Sequence, residues 1–413
     1  MRSENYQTKP LSKLVDIYDS MRVPVKKSER KPGPYPYYGA SGIADYVDSF
    51  LFDGEYLLLA EDGENLKTQN TPIAFIANGR FWVNNHAHIL QANTSSNTRY
   101  LSYALQIADI RSYLSGSTRP KLTQGDMKRI QVYAPQPKEQ QAIAHILGTL
   151  DDKIELNRQI NQTLEEMARA LFKSWFVDFD PVRAKAAGKQ PPGLKPEIAD
   201  LFPDSFVDSE LGEISKGWEV IGLSDTGVFL NGLALQKYPA SQADALPVIK
   251  IAQLHKENTD GADQASKDIP PEYVVNDGDI LFSWSGSLEC VLWTGGYGAL
   301  NQHLFKVTSD KYPKWFQYLW IHHHMNEFRA IASGKATTMG HIQRRHLDEA
   351  KVLIPTKELI NLGNGLIGSF IGLIIENSIQ SKTLIKLRDT LLPKLISGEL
   401  RVKDAERIIQ RSL

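Results

Sequence analysis

The chain has 413 residues, 42% of them hydrophobic and 23% charged, with a formal net charge of −1. That composition is ordinary for a globular protein of two to three domains and excludes a uniformly basic or disordered chain, so nucleic-acid binding would have to rest on local positive charge or on partners. One cysteine, Cys290, excludes an intrachain disulfide and suits a reducing cytosol.

The N-terminus has no apolar run of the signal-peptide kind, and residues 1–10 read as a mobile lead-in. From Leu11 to Pro135 short strands alternate with turns. Leu57-Leu58-Leu59-Ala60 and Ile73-Ala74-Phe75-Ile76-Ala77 read as buried strands. Phe81-Trp82-Val83 and His88-Ile89-Leu90 flank Asn84-Asn85. Asp53-Gly54, Asp62-Gly63 and Asn78-Gly79 have the composition of hairpin turns. Tyr100 to Leu114 reads as a helix.

Gln140 to Trp175 then carries a seam at period 3.5: Ile143, Leu147, Leu150, Ile154, Asn157, Asn161, Leu164, Ala168, Leu171, Trp175. Sustained over about four heptads, this predicts a coiled-coil helix. Residues 181–216, rich in Pro, Lys, Asp and Gly, read as a linker. A second unit places strands at Val248–Ile251, Asp279–Phe282 and His303–Val307 and a helix at Trp315–Ile331. A second long helix repeats the seam with Ile367, Phe370, Ile374, Asn377, Ser381, Leu384, Arg388, Leu391 and Leu395. Pro393 predicts a kink or an early end, and Gly398 a terminating residue. The most apolar tract, residues 360–375, holds Asn361, Asn364 and four glycines and is too short to cross a membrane.

The halves are related. An offset of 220 maps Pro135 to Pro355, Leu122 to Ile342, Met127 to Leu347, Val132 to Val352, Asn157 to Asn377 and Leu171 to Leu391, which indicates an internal duplication. Asn84-Asn85-His86 resembles Asn301-Gln302-His303. Gly116-Ser117-Thr118 and the run from Gly334 to Thr338 occupy matching places. His86 and His303 have no recurring nucleophile or carboxylate beside them in sequence and read as hydrogen-bonded histidines bracing a turn, with DNA contact as the alternative. In an antiparallel helix pair related by a two-fold, Asn157 and Asn377 would face each other at the centre and fix the register.

No Walker A motif, dinucleotide fingerprint or Asn/Asp-Pro-Pro-Tyr/Phe tetrapeptide occurs. Glu349-Ala350-Lys351 lacks the upstream Pro-Asp of a nuclease motif. His322-His323-His324 reads as a polar helix face, because consecutive helical residues diverge in direction. Positive charge is local. The DNA-binding candidates are Lys26, Lys27, Arg30, Tyr38, Lys67, Asn85, Arg119 and Lys121 in the first unit. In the second they are Lys250, Asn301, Lys335, Thr337, Thr338 and Arg344. Lys and Arg beside small hydroxyl residues suit phosphates, and Asn, Gln and Arg suit base edges.

This layout resembles the specificity (S) subunits of Type I restriction-modification systems. The resemblance is carried by Tyr37-Tyr38-Gly39-Ala40-Ser41-Gly42, Val83-Asn84-Asn85-His86, Gln140-Gln141-Ala142-Ile143-Ala144, Trp175-Phe176-Val177-Asp178-Phe179, Gly212-Glu213-Ile214 and Leu391-Leu392-Pro393-Lys394-Leu395-Ile396-Ser397-Gly398. Lys357-Glu358-Leu359-Ile360 departs from the family's acidic-Gln pattern, which predicts a less regular start to the second helix. The resemblance implies an α+β fold: two mainly-β target recognition domains in pseudo-two-fold arrangement, separated by a long antiparallel two-helix coiled coil. The boundaries follow as a first recognition domain 1–136, first spacer helix 137–179, linker 180–216, second recognition domain 217–356, second spacer helix 357–398 and tail 399–413. It further implies a non-catalytic, cytoplasmic chain that binds double-stranded DNA, two modification subunits and restriction subunits, with no membrane partner. S-adenosylmethionine, ATP and Mg are expected on those partners, with no cofactor or metal in this chain. A nuclease built on a duplicated domain and a coiled-coil scaffold without DNA are the competing readings.

Overall fold

In the computed structural model, which describes residues 6–116, 119–240, 244–334 and 340–412, the chain forms two units, and the division falls inside both long helices. One unit comprises residues 1–154 and 383–413, the other residues 155–382.

Each unit is built on two four-stranded sheets. In the first unit, one sheet has the order Val15–Ile17, Ala87–Ala92, Tyr56–Ala60, Ala74–Ala77, all antiparallel. The other runs Gly42–Val47, Tyr35–Gly39, Arg80–Val83, Phe52–Asp53, and its central pair is parallel. Thr8–Pro10 pairs with Gln131–Tyr133, so the expected mobile lead-in is a strand from Thr8 onward. The second unit repeats this order. Its antiparallel sheet is Val228–Asn231, Leu304–Thr308, Ile280–Ser283, Cys290–Leu292. Its mixed sheet is Gln264–Ser266, Ala245–Ile249, Gly298–Leu300, Val274–Val275, again with a parallel central pair. Glu219–Gly222 pairs with Lys351–Ile354 in the place of the N-terminal pair.

Alternating buried strands explain this architecture. Leu57 to Leu59 are fully buried because both faces of that central strand are covered. The three Asx-Gly turns do not close hairpins. Asp53-Gly54 and Asn78-Gly79 each join strands of different sheets, and Asp62-Gly63 leads into the short helix Asn65–Thr68. Their glycines do take positive φ, but two residues of local composition cannot specify which strands they connect. The Tyr100–Leu114 helix is shorter than expected: Thr98–Gln106, capped by Asn97, followed by a 3-10 turn at Arg111–Tyr113.

The first long helix runs Pro137–Phe172 and continues through a π turn at Lys173–Val177. Proline at its first position forfeits no helical bond. The second comprises Lys357–Gly363, a π turn at Asn364–Gly368 and Ser369–Ser397. Lys357–Ile360, where the sequence suggested a less regular start, are ordinary helix capped by Thr356, and the irregularity comes at the following π turn. Trp315 causes close approach there: a Cβ on Gly363 would lie 2.6 Å from its ring. Of the kink or early end expected at Pro393, the early end does not occur, and the helix runs on to Ser397. Leu391, Leu392, Leu395 and Ile396 flank the proline and are buried in the first unit's core, which offsets the missing bond.

By length and composition the continuous 41-residue helix could cross a membrane, so the expectation that this tract is too short fails. Part of its apolar side is occupied within each unit, while Leu366, Leu373, Ile379 and Ile385 stay exposed. In the first unit Leu384, Leu391 and Leu395 pack in one core with Ile143, Leu147 and Leu150. In the second, Ile367 and Ile371 share a core with Ala168, Phe172 and Trp175.

The segment read as a linker is ordered. It contains helices Asp180–Ala186 and Pro196–Ala199 and the hairpin Phe206–Ser209/Gly212–Ser215. Val182, Phe202 and Ile214 are buried in the second unit's core. Its Pro- and Lys-rich composition masked an apolar residue every few positions. The C-terminal tail is also structured, as helix Val402–Ser412 with Ala405 buried.

Candidate nucleic-acid interface

The recurring Asn-x-His turn supplies the common element of both domains. In the first, the His86 N–H donates to Asn84 Oδ1 at 2.8 Å, and His86 Nδ1 lies 2.8 Å from Asp62 Oδ2. In the second, the His303 N–H donates to Asn301 Oδ1 at 3.2 Å, and His303 Nδ1 lies 3.0 Å from Ser285 Oγ. Each histidine thus ties its turn to the segment that follows a central strand. The following loop closes over the same segment. Leu122 N–H donates to Glu61 O at 2.7 Å, and Gly63 N–H to Pro120 O at 3.1 Å. In the second domain Ile342 N–H donates to Trp284 O and Gly286 N–H to Gly340 O, both at 2.9 Å. Leu122 and Ile342, like Pro120 and Gly340, are separated by the 220-residue offset.

The side chains presented there differ. In the first domain Glu61 and Asp62 are half-buried carboxylates. Arg22 Nη1 donates to Glu61 at 2.6 Å, Lys121 Nζ lies 3.4 Å from it, and Arg119 Nη2 donates to Asp62 at 2.7 Å. Beneath them His88 bridges Asp19 Oδ2 (2.6 Å) and Leu122 O (2.8 Å). Burial raises the Asp19 carboxyl, but hydrogen bonds from His88, the Ile89 N–H and Gln124, with the His88 charge, outweigh it and hold the group below the usual carboxylate range. In the second domain Trp284 and Ser285 stand in place of Glu61 and Asp62. Trp284 packs against His303, Phe305 and His341 and donates to Asn231 Oδ1 at 2.8 Å.

The remaining candidates separate by what already holds them. Lys26, Lys27, Lys67 and Asn85 are exposed. Arg30 lies 4.1 Å above the Tyr37 ring and pairs with Asp45 at 3.1 Å. Tyr38 belongs to an aromatic cluster with Phe75 and Phe81, and burial raises its hydroxyl pKa. Lys250 pairs with Asp263. Arg344 is exposed and donates to Phe229 O at 3.0 Å. Asn301 is 4% exposed, with its oxygen committed to the turn. It corresponds to Asn84, which is also buried, and Gln302 is the counterpart of exposed Asn85. The structure therefore removes Asn301 from the accessible set. Lys335, Thr337 and Thr338 lie outside the described residues.

Sequence reading missed Glu61, Asp62, Arg22 and the Asp19–His88 pair, because their partners lie 24 to 69 residues away. The histidine triplet resolves into three environments. Burial, with the nearby Arg169 charge, lowers His322 to about 4, and its Nδ1 accepts from Arg169 at 3.2 Å. His324 Nε2 is 2.9 Å from Lys351 O, and His323 is exposed. No His/Cys/Asp/Glu group able to hold a metal is found among the described residues. Cys290 is buried in the core, which pushes its thiol pKa up.

The long helices meet in a polar layer. Asn157, fully buried, donates to Asn377 O (3.3 Å), Gln380 Oε1 (2.9 Å) and Ser381 Oγ (3.2 Å). Asn377 donates to Asn161 Oδ1 at 3.0 Å. The expected mutual bond between the Asn157 and Asn377 amides is replaced by two crossed contacts, 157–381 and 161–377, which exchange under the 220-residue offset. Their centre lies near residues 159 and 379, two positions beyond the one expected.

The two sheet-rich domains thus share one brace and differ in the side chains they present on it. Residues 3–166 match the family model described as "Type I restriction modification DNA specificity domain". The chain is 29% identical to the Type I restriction enzyme HindI specificity subunit of Haemophilus influenzae over 84% of each chain. It is 26% identical to the MjaIX specificity subunit of Methanocaldococcus jannaschii over 97% of this chain and 95% of that one. The fold is that of the S subunit of the Type I system from M. genitalium (TM-score 0.62, 14% identity, 96% and 98% coverage). Along most of its length the chain is similar to the specificity subunits of Type I restriction-modification systems, and residues 3–166 carry the DNA specificity domain of that family.

Proposed function

We propose that each sheet-rich domain reads one half of a bipartite site in double-stranded DNA, and that the paired helices set the gap between the halves and seat two modification subunits. Restriction subunits complete the complex in the cytoplasm. S-adenosylmethionine would be held by the modification subunits, and ATP and Mg by the restriction subunits. The observation that carries this reading is the repeated brace. The Asn-x-His turn and the loop bonds recur in both domains, while Glu61-Asp62 is exchanged for Trp284-Ser285. A fixed scaffold with a variable tip is what two independent half-site readers require. The polar layer supports the spacing role, since a slipped register would break the bonds that Asn157, Asn161 and Asn377 donate across the pair.

The test is co-expression with a modification subunit, followed by sequencing for methylated adenines. A split motif is expected, with one methylated adenine in each half and an invariant gap. A contiguous motif, or methylation without sequence preference, would overturn the reading.

A further inference from the structure

We infer that Arg119 reads a guanine in the major groove of the first half-site, with Asp62 and His86 as its positioning residues. The inference rests on the DNA-reading function above and adds to it a named side chain and base.

Arg119 stands on a loop closed by its own backbone. Ser115 and Lys121 exchange two bonds of 2.8 Å. Gly116, at φ +86°, lies close against the Arg119 backbone: a Cβ there would lie 2.3 Å from Arg119 O. The loop is then pinned to residues 61–63 by the bonds from Leu122 and Gly63. From this platform the Arg119 side chain projects with 64% of its surface exposed, while Asp62 keeps only 15%. One Asp62 oxygen accepts from Arg119 Nη2, and the other meets His86 Nδ1. His86 is itself fixed by Asn84. Asp62, itself held by the Asn84–His86 turn, therefore orients one exposed guanidinium.

Two physical arguments favour a base over a phosphate. A guanidinium carries five N–H donors, and one bond to Asp62 leaves enough to span two acceptors. Guanine offers O6 and N7 at the spacing that an arginine fork matches, and prior orientation reduces the rotamer freedom lost on binding. Charge points the same way. Arg119 paired with Asp62 is locally neutral, and a carboxylate beside the contact repels a phosphate but tolerates an uncharged base edge. Exposed Lys26 and Lys27 fit the phosphate role better. The second domain has Ser285 where the first has Asp62, so its brace holds no carboxylate of this kind.

The test uses the full chain in complex with its modification subunit, with methylated adenines sequenced for wild type, Arg119→Ala, Arg119→Lys and Asp62→Asn. In Arg119→Ala one guanine position of one half-site should lose discrimination by on the order of ten- to a hundredfold. The other half should keep its motif. Arg119→Lys should lose the same discrimination, because the charge survives but the fork does not. Asp62→Asn should weaken it at that same position to a smaller degree. An unchanged motif with uniformly weaker methylation in Arg119→Ala, restored by Arg119→Lys, would make Arg119 a phosphate clamp and overturn the inference. So would a first half-site without guanine. Failure of the wild-type complex to give a split motif would instead strike the underlying DNA-reading function.

Discussion

The two recognition domains share sheet order, parallel central pair, Asn-x-His turn and loop closure, yet they stabilise the shared brace by different chemistry. In the first, Asp62 and Glu61 gather Arg119, Arg22 and Lys121 into an ionic network above the buried Asp19–His88 pair. In the second, Trp284 and Ser285 do the corresponding work through ring packing and a hydroxyl. Backbone bonds carry the scaffold, so the side chains at its tip can change without unfolding it. That is the physical condition for a domain family that varies what it reads.

The largest effect should come from exchanging the tip with its scaffold. Replacing residues 11–134 with the first domain of another family member should change one half of the methylated motif completely and leave the other half and the gap intact. Sequencing that alters both halves would show that the domains are not independent.

Acid should separate the two units next. His322 in the second unit falls to about 4 when folded, against about 6.5 for a free histidine. A base with a depressed folded pKa binds fewer protons folded than unfolded, so stability is lost as pH falls from about 6.5 to 4, by roughly 3 kcal/mol in all. Asp19 in the first unit has a depressed carboxyl. Its contribution stands above the ordinary carboxylate pKa and disappears only as pH falls below it. Denaturant melts at stepped pH should show the second unit loosening first, and His322→Gln should flatten that dependence. Simultaneous loosening in the His322→Gln chain and the wild type would contradict this assignment.

The smallest effect concerns the helices. Asn161→Leu removes the acceptor of the Asn377 amide and two bonds to the partner helix. Stability should fall by about 1–3 kcal/mol. In a double-mutant cycle, Asn377→Leu should couple to Asn161→Leu and much less to Asn157→Leu, whose side chain bonds Gln380, Ser381 and the Asn377 carbonyl instead. Equal coupling to both would restore the simpler picture of facing amides.

Periodic features were legible in the sequence because they are local. All ten residues from Ile143 to Trp175 assigned to the first seam are buried or half-buried, and Glu155, Arg158, Glu166 and Arg169 are exposed. A 3.5-residue repeat places side chains on one face whatever surrounds the helix. The 220-residue offset likewise told which residues are equivalent, down to the paired bonds of Leu122 and Ile342. Tertiary structure alone decided the rest. Asp53-Gly54 turns the chain between sheets rather than within one, since pairing is set by strands far apart in sequence. Pro393 sits in a continuous helix because buried leucines on either side outweigh one absent bond. Asn301 is buried, as Asn84 at the matching place is, while Asn85 beside it is exposed. Asp62 becomes the hub of the first domain only when Arg119, 57 residues away, and His86, 24 away, fold onto it. Local sequence fixes which face a side chain takes. Which distant group meets that face depends on how the backbone hydrogen bonds close.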